Sequence, residues 1–391
     1  MVPRLICDLC GDARFEPVVE SSRPKAMRSD RVIVDAPLRK VACRRCGLVR
    51  TGTLPAGSVI DNLYRDGYDT RMTDHMFYTP AGPVARSSAI ADWMLAHTQH
   101  VVWQSGQAGL DVGAGPGLLM RVLQDRFPGK PLVGVEPNVH AAHEGRSGGL
   151  DIRPSMSELP PAIDVAWAVA VLEHVESPTG FLRAIRSRLS DGGTLILIQP
   201  TADVPSYDVL FIDHLHHFAR PHLVAYAHKS GFEVMRSVIG HPLMPNFSLH
   251  VWRASSNGDD DVRWAGPPAE SHCRTAACRV LAAMARLDDL LERLETGRRR
   301  VAAFGVREVF ALARSYSTLD AFPLACGFDD DPEQVETGRF PFPIVRPEAA
   351  SQFGITDALL TMNTLYYQQA RQRCESLNLI CHPVLDADPV E

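Results

Sequence analysis

Two matched pairs of cysteines are the first residues in this chain whose spacing points to chemistry. Cys7-Asp8-Leu9-Cys10-Gly11 and Cys43-Arg44-Arg45-Cys46-Gly47 are C-x-x-C-G units with 32 residues between them. Each unit can present two thiolates to one ion from a tight turn, and four sulfurs complete a closed tetrahedral zinc shell. A closed shell leaves no position for a substrate. We therefore predict a structural zinc ion held by Cys7, Cys10, Cys43 and Cys46.

A second group of reactive side chains lies in the segment Phe211-Ile212-Asp213-His214-Leu215-His216-His217-Phe218. Imidazole titrates near neutral pH, and a neighbouring carboxylate can orient it or raise its basicity. We therefore interpret His214 as a general base and Asp213 as its partner. A metal site is the weaker alternative, because this single cluster has no second group of ligands elsewhere in the sequence.

A glycine-rich turn organises the centre of the chain. Asp111-Val112-Gly113-Ala114-Gly115-Pro116-Gly117 follows a short apolar strand and precedes an amphipathic helix over 118–127, and a strand over 131–135 ends at Glu136. The glycines let backbone N–H groups approach a ligand, and the acid is placed to bind ribose hydroxyls. Their G-x-G-x-G order differs from the G-x-G-x-x-G of dinucleotide sites. It resembles motif I of class I S-adenosylmethionine (SAM) methyltransferases.

The resemblance to these methyltransferases implies a set of contacts to SAM. They fall on the turn and on the end of the second strand, at Asp111, Gly113, Ala114, Gly115, Gly117, Glu136 and Pro137. Such enzymes commonly carry an acid for the adenine amino group in a later loop, where this chain has Ser155 and Met156. We assign contacts to adenine to those two residues.

The apolar run 164–170 predicts a further strand, which is followed by Glu173 and His174. In open α/β sheets, ligands lie beyond the carboxyl ends of the strands. If the strand is assigned correctly, both side chains face the cofactor crevice. A packed or solvated role for His174 is the open alternative.

Length, composition and charge limit the class of protein. The 391 residues suffice for two or three domains, and 45% apolar with 22% charged residues is typical of a soluble globular protein. No apolar run reaches the ~18 residues needed to cross a bilayer, and the N-terminus lacks the apolar core of a signal peptide. We therefore predict a cytoplasmic protein with no membrane partner. The net charge of −6 argues against a large nucleic-acid footprint.

We predict an α/β protein of three domains. A zinc-binding module and lid cover residues 1–80, a SAM-dependent methyltransferase domain with a Rossmann-like sheet covers 81–254, and a Rossmann-like domain covers 255–391. The last domain has only one glycine at the first turn of its strand and helix, near Gly305, so it lacks a complete cofactor fingerprint. Substrate binding and scaffolding both remain open for it.

Three features together resemble the three-domain C-methyltransferases that act on nucleotide-linked keto-sugars in deoxysugar and antibiotic biosynthesis. They are the zinc module, the SAM motif and the C-terminal unit with Gly338-Arg339-Phe340-Pro341-Phe342-Pro343-Ile344. The resemblance implies that a histidine or tyrosine removes a proton beside the ketone and that the enolate attacks the SAM methyl group. It assigns the catalytic roles to Asp213, His214, His174 and a lid tyrosine, Tyr64 or Tyr68.

This sequence departs from the family's base segment at several positions, so other functions remain open. Phe211 lacks a phenol, Ile212 replaces a histidine, and His216-His217 replace Ser-Tyr. One alternative is O- or N-methylation of a free small-molecule secondary metabolite. Another is RNA methylation, against which the net negative charge counts. The last is a degenerate methyltransferase fold that serves as a binding module without activity.

Overall fold

Apolar segments of this chain form strands, and the amphipathic segments between them form helices. The computed structural model of the protein describes residues 5–52, 62–68, 70, 72–79, 81–98, 103, 108–159, 162–255, 269–331 and 340–386. The strands are β1 Phe15–Glu20, β2 Ala26–Met27, β3 Ile33–Val34, β4 Arg39–Cys43, β5 Val49–Thr51, β6 Met76–Thr79, β7 Gly82–Ala85, β8 Gly109–Val112, β9 Leu132–Val135, β10 Ile152–Arg153, β11 Ile163–Val169, β12 Leu189–Pro200, β13 His216–His217, β14 Phe232–His241, β15 Met244–Ala254, β16 Val301–Phe304, β17 Cys326–Phe328, β18 Ile344–Val345, β19 Asp357–Leu360 and β20 Ile380–Pro383.

The α-helices alternate with these strands in the central and C-terminal parts of the chain. They are α1 Arg86–His97, α2 Leu118–Arg126, α3 Val139–Ser147, α4 Pro178–Arg186, α5 Arg220–Lys229, α6 Glu270–Thr296, α7 Glu308–Tyr316 and α8 Tyr367–Ser376. Short 3-10 turns at Leu172–His174 and Tyr207–Leu210 lie between the longer elements. In the part of the chain that the structure describes, no helix combines the length and apolar character needed to cross a membrane.

The chain divides into two compact units. The first contains residues 1–18, 40–208 and 213–273, and the second contains 19–39, 209–212 and 274–391. These boundaries differ from the predicted domains 1–80, 81–254 and 255–391. Both cysteine pairs share the first unit with the central domain, while residues 19–39 belong to the second.

A seven-stranded sheet forms the centre of the first unit, in the order β10-β9-β8-β11-β12-β15-β14. The five strands from β10 to β12 pair in parallel, and β15 runs antiparallel to both of its neighbours. The chain order reverses between β8 and β11, and such a switch point opens a crevice beyond the carboxyl ends of the strands. The structure thus confirms a Rossmann-like sheet, and the glycine turn begins at that crevice.

Helix α1 is short because a strand precedes it directly and the chain turns after it. Residues 82–85 form β7, and α1 ends at His97. The Thr98 hydroxyl donates to the Met94 carbonyl oxygen at 2.7 Å and accepts the Trp103 indole N–H at 3.0 Å. The chain therefore turns at Thr98, and the Trp103 ring stacks on Phe127 with 5.5 Å between centroids.

A smaller sheet, in the order β1-β4-β5-β13, fixes the histidine-rich segment. β5 pairs antiparallel with β4 on one side and with β13 on the other, and β13 consists of His216 and His217. The predicted boundary at residue 80 separates the N-terminal segment from the histidine segment. In the structure they are strands of one sheet.

The second unit contains a five-stranded sheet in the order β18-β17-β16-β19-β20. All of its strand pairs are parallel, and α7 follows the central strand β16. Gly305 begins the turn after β16 with a φ of +87°, a conformation that favours glycine. The predicted C-terminal strand and helix alternation is therefore observed. Gly338 and Arg339 of the C-terminal motif lie outside the described residues.

Candidate functional site

The glycine turn after β8 needs glycine for two physical reasons. Gly113, Gly115 and Gly117 have φ values of +77°, +56° and +79°, in the region that side chains with a Cβ rarely adopt. A Cβ on Gly113 would also lie 2.5 Å from a methyl group of Val171. The turn therefore packs closely against Val171. Gly117 at its end is the N-cap of α2.

Glu136 connects the end of β9 to this turn. Its carboxylate accepts hydrogen bonds from the backbone N–H of Gly115 at 2.7 Å and from the backbone N–H of Asn138, also at 2.7 Å. Burial raises the pKa of Glu136, and the two backbone donors oppose that shift. Asp111 is buried within β8, and burial raises the pKa of its carboxyl to about 7. The two predicted acids thus lie at adjacent strand ends.

The other predicted cofactor residues lie around the same strand ends. Pro137 is exposed directly after Glu136, and Ala114 is partly buried within the turn. Ser155 and Met156 follow β10, where the Ser155 hydroxyl is 2.6 Å from the Ser157 hydroxyl. A contact from either of them to adenine stays a prediction.

All five residues predicted to be catalytic belong to one cluster beyond the end of β11. Nδ1 of His174 lies 2.8 Å from the Tyr64 hydroxyl and 3.0 Å from the backbone oxygen of Asp213. The rings of His174 and His214 are nearly perpendicular, with centroids 4.8 Å apart. The Tyr68 ring lies 5.2 Å from the Tyr64 ring and 6.3 Å from the His174 ring. The fold therefore brings together residues from three separate segments.

A carboxylate that sequence reasoning missed, Asp208, contacts His214. Oδ2 of Asp208 lies 3.2 Å from Nδ1 of His214 and 3.1 Å from Nδ1 of His217. Asp213, the predicted partner, has its carboxylate 3.7 Å from His174. Asp208 lies six residues before His214 across an apolar stretch, and no motif marks it. The role of Asp213 as partner of His214 stays a prediction, with Asp208 as a second carboxylate in contact.

Asp208 and His214 each shift the pKa of the other toward the charged form. Burial tends to raise the pKa of Asp208, but hydrogen bonds from His214 and His217 bring it below its ordinary value. Burial tends to lower the pKa of His214, but the bond to Asp208 and the nearby Glu173 and Asp213 bring it above its ordinary value. Because a carboxylate only accepts, Nδ1 of His214 carries a hydrogen, and in the neutral ring Nε2 carries the lone pair.

A fully buried lysine holds the backbone of the histidine loop. Lys40 in β4 donates to the backbone oxygen of His214 at 2.5 Å and to the Thr51 hydroxyl at 3.1 Å. Burial lowers the pKa of Lys40 to about 7, while Asp213 and Asp208 oppose that shift. Lys40 and Thr51 tie His214 to the N-terminal sheet.

The four predicted zinc ligands lie together in the first unit. Sγ of Cys7 lies 3.6 Å from Sγ of Cys46, Sγ of Cys10 lies 3.5 Å from Sγ of Cys43, and all four sulfurs are within 4.8 Å of one another. A tetrahedral ion with Zn–S bonds of about 2.3 Å needs S–S distances of about 3.8 Å. The sulfur arrangement therefore fits zinc. The glycine after each pair has a φ of +72°, as its turn requires.

The centre of the chain is similar to known methyltransferases. Residues 94–237 match the family model of a methyltransferase domain. Trans-aconitate 2-methyltransferase of Sinorhizobium fredii is 29% identical over 103 residues, which cover 25% of this chain and 40% of that protein. The chain thus spans less than half the length of this curated relative. The matches support a methyltransferase domain in this part of the chain.

Two solved methyltransferase structures match part of this chain. A SAM-dependent methyltransferase from Mesorhizobium loti is 17% identical, with 42% of this chain and 97% of that chain covered and a TM-score of 0.35. Magnesium protoporphyrin IX methyltransferase from Synechocystis with bound SAM is 13% identical, with 43% and 78% covered and a TM-score of 0.34.

Replacing Glu136 by glutamine is expected to weaken SAM binding about 10- to 100-fold. The amide has one acceptor oxygen, so it cannot serve the N–H groups of Gly115 and Asn138 and also a ribose hydroxyl. Calorimetric titration with SAM measures the change in Kd. Glu144→Gln, an exposed residue on α3, is the matched control. An unchanged Kd in the Glu136 variant would contradict the ribose assignment.

Proposed function

We propose that this protein transfers the methyl group of SAM to a carbon next to a carbonyl group of a small molecule. The acceptor class is the nucleotide-linked keto-sugar of secondary metabolism, following the family that the sequence resembles. The observation that carries the proposal is the buried His214 imidazole, which contacts Asp208 and lies next to His174 and Tyr64. A carbon acid needs such a base, whereas a simple nucleophilic amine does not.

The chemistry of the proposed step assigns a role to each part of the cluster. The sulfonium of SAM supplies an electrophilic methyl carbon when the cofactor is bound. Nε2 of His214 takes the proton from the carbon beside the carbonyl, and the electron pair of that C–H bond becomes an enolate. The enolate carbon then attacks the methyl group in line, the C–S bond breaks, and S-adenosylhomocysteine is released. In-line positioning supplies most of the remaining rate.

The hydroxyl and ring groups around His174 suit the negative charge that forms on the carbonyl oxygen. Nδ1 of His174 donates to the backbone oxygen of Asp213, and the Tyr64 hydroxyl lies 2.8 Å from the same nitrogen. Preoriented donors at the oxygen of an enolate lower the barrier because they need no reorganisation. In this proposal Tyr64 or Tyr68 supplies the donor from the lid segment.

The binding residues complete the proposal. Asp111, Glu136 and the glycine turn would hold SAM, and Cys7, Cys10, Cys43 and Cys46 would hold a zinc ion that stabilises the fold. Zinc has no part in the reaction, since four cysteine ligands leave no open position.

Isotope exchange tests the position of methylation. The enzyme is incubated in deuterated water with SAM bearing a ¹³C methyl group and a panel of keto compounds, including nucleotide-linked keto-sugars. We expect a new carbon–methyl resonance and enzyme-dependent loss of the hydrogen beside the carbonyl. His214→Asn is the control for the exchange. A methyl group on oxygen or nitrogen, with no exchange, would replace this proposal by the O- or N-methylation alternative.

A further inference from the structure

Glu173 has a carboxylate whose surroundings within the protein do not account for it. The residue is 2% exposed, and neither carboxylate oxygen has a hydrogen-bond partner in another residue of the described chain. Burying a carboxylate without a partner is costly, so such groups in folded proteins are usually paired or bind a cation. Glu173 lies in the short turn Leu172–His174 beyond the carboxyl end of β11, at the crevice. This position suits a ligand that arrives from outside.

Two histidines offer nitrogens to the same space. One carboxylate oxygen of Glu173, one ring nitrogen of His174 and one of His214 lie within 4.8 Å of one another, and Nε2 of His174 is 4.0 Å from Oε1 of Glu173. An ion equidistant from three atoms at such separations lies about 2.3 to 2.8 Å from each. Metal bonds to imidazole and carboxylate are about 2.0 to 2.2 Å long. Side-chain movements of a few tenths of an ångström would close the shell.

Both histidines are oriented as metal ligands are. Histidines that bind metals almost always donate their second ring N–H to a carboxylate or a backbone oxygen. Nδ1 of His174 lies 3.0 Å from the backbone oxygen of Asp213, and Nδ1 of His214 lies 3.2 Å from the carboxylate of Asp208. Since these acceptors require hydrogen on Nδ1, the lone pair of each ring lies on Nε2.

The fold also removes the objection to a metal site that the sequence raised. The histidine-rich segment offers no second group of ligands by itself. Glu173 and His174, which precede β12 in the sequence, supply that group, and the fold brings them close to His214. Two imidazoles and one carboxylate suit borderline divalent ions such as Zn²⁺, Fe²⁺ and Mn²⁺.

We propose that Glu173, His174 and His214 bind one divalent transition-metal ion, and that the bound ion prevents His214 from taking a proton. The second part rests on the proposed function. A ring nitrogen that binds a metal uses the lone pair that a proton needs, so the two uses of Nε2 exclude each other. The ion is therefore an inhibitor of methyl transfer at this site, and its removal restores the base.

Metal counting tests the site without reference to activity. The wild type, Glu173→Gln and Glu176→Gln are dialysed against buffered Zn²⁺, and zinc per chain is measured by mass spectrometry. Glu176 is exposed and three residues away, which makes it the matched control. We expect Glu173→Gln to bind one zinc ion fewer than the other two proteins. His174→Asn, with circular dichroism as a folding check, should show the same loss. Equal counts in all four proteins would overturn the site.

Methyl transfer at increasing free Zn²⁺ tests the consequence. Each protein starts with zinc only in the four-cysteine site, and relative to that rate the wild type should lose activity at a Zn²⁺ concentration at least tenfold lower than Glu173→Gln does. A wild-type rate that rises with added Zn²⁺ would overturn the claim that the bound ion prevents His214 from taking a proton. Absence of methyl transfer with the zinc difference intact would overturn the proposed function alone. Methyl transfer with equal zinc counts would overturn the metal site alone.

Discussion

Replacing His214 by asparagine is expected to lower kcat by about 10²- to 10⁴-fold while the Kd for SAM stays unchanged. Asparagine fills similar space and can still donate toward Asp208, but its amide cannot take a proton from carbon. Glu136 accepts its hydrogen bonds from Gly115 and Asn138, whereas His214 contacts Asp208 after a different strand. The loss should therefore appear in turnover and leave the cofactor site intact.

Single-turnover kinetics with calorimetry of SAM binding separates these effects. A full rate in the His214 variant would show that another group takes the proton, or that the acceptor needs no base. A parallel loss of SAM binding would show instead that His214 supports the cofactor site, which the proposed function does not allow.

The pH dependence of the rate gives an independent check on the same residue. The base must be neutral, so kcat/KM should rise with pH through the pKa of His214. Burial lowers that pKa, and Asp208, Glu173 and Asp213, which face the ring, raise it above its ordinary value. Asp208→Asn removes the bonded carboxylate, so the acidic limb of the profile should shift to lower pH. An unshifted limb would mean that Asp208 does not act on the titrating group.

The glycine turn after β8 could be predicted from sequence because everything that forms it is local. A strand, three glycines with positive φ, a helix and a second strand follow one another without a gap, and each step limits the next. The cysteine pairs are equally local, since each pair needs only one tight turn. Spacing along the chain is then sufficient to place the ligands.

The partners of His214 could not be predicted in the same way, because tertiary structure decides them. Asp208 reaches the ring from the turn Tyr207–Leu210, and Lys40 reaches the backbone of His214 from a strand 174 positions earlier in the sequence. Asp213 is adjacent in sequence, yet its carboxylate lies 3.7 Å from Nδ1 of His174. Asp213 lies in a turn of the backbone, so its position next to His214 in the sequence does not decide which side chains meet.

Replacing Cys43 by serine is expected to remove the zinc ion and to lower the free energy of unfolding of the first unit by several kcal/mol. Structural zinc binding is worth on the order of 10 kcal/mol in small zinc-dependent peptides at neutral pH. The cysteine turns belong to the same buried core as helix α5, where Leu223 and Tyr226 pack. Nε2 of His222, also on α5, lies 3.0 Å from the Cys46 backbone oxygen. Loss of the ion should therefore weaken more than the turns themselves.

Denaturant titration with zinc analysis measures both effects, and Cys278→Ser, which changes an exposed cysteine, is the control. If the Cys43 variant keeps its zinc and its stability, the four-cysteine assignment is wrong.

The turnover rate of the Cys43 variant shows whether the zinc ion also supports the position of His214. Cys43 ends β4, the strand that carries Lys40, and Lys40 holds the backbone of His214. Zinc loss should then reduce turnover at temperatures where the rest of the unit remains folded, because the strand that positions the base is no longer anchored.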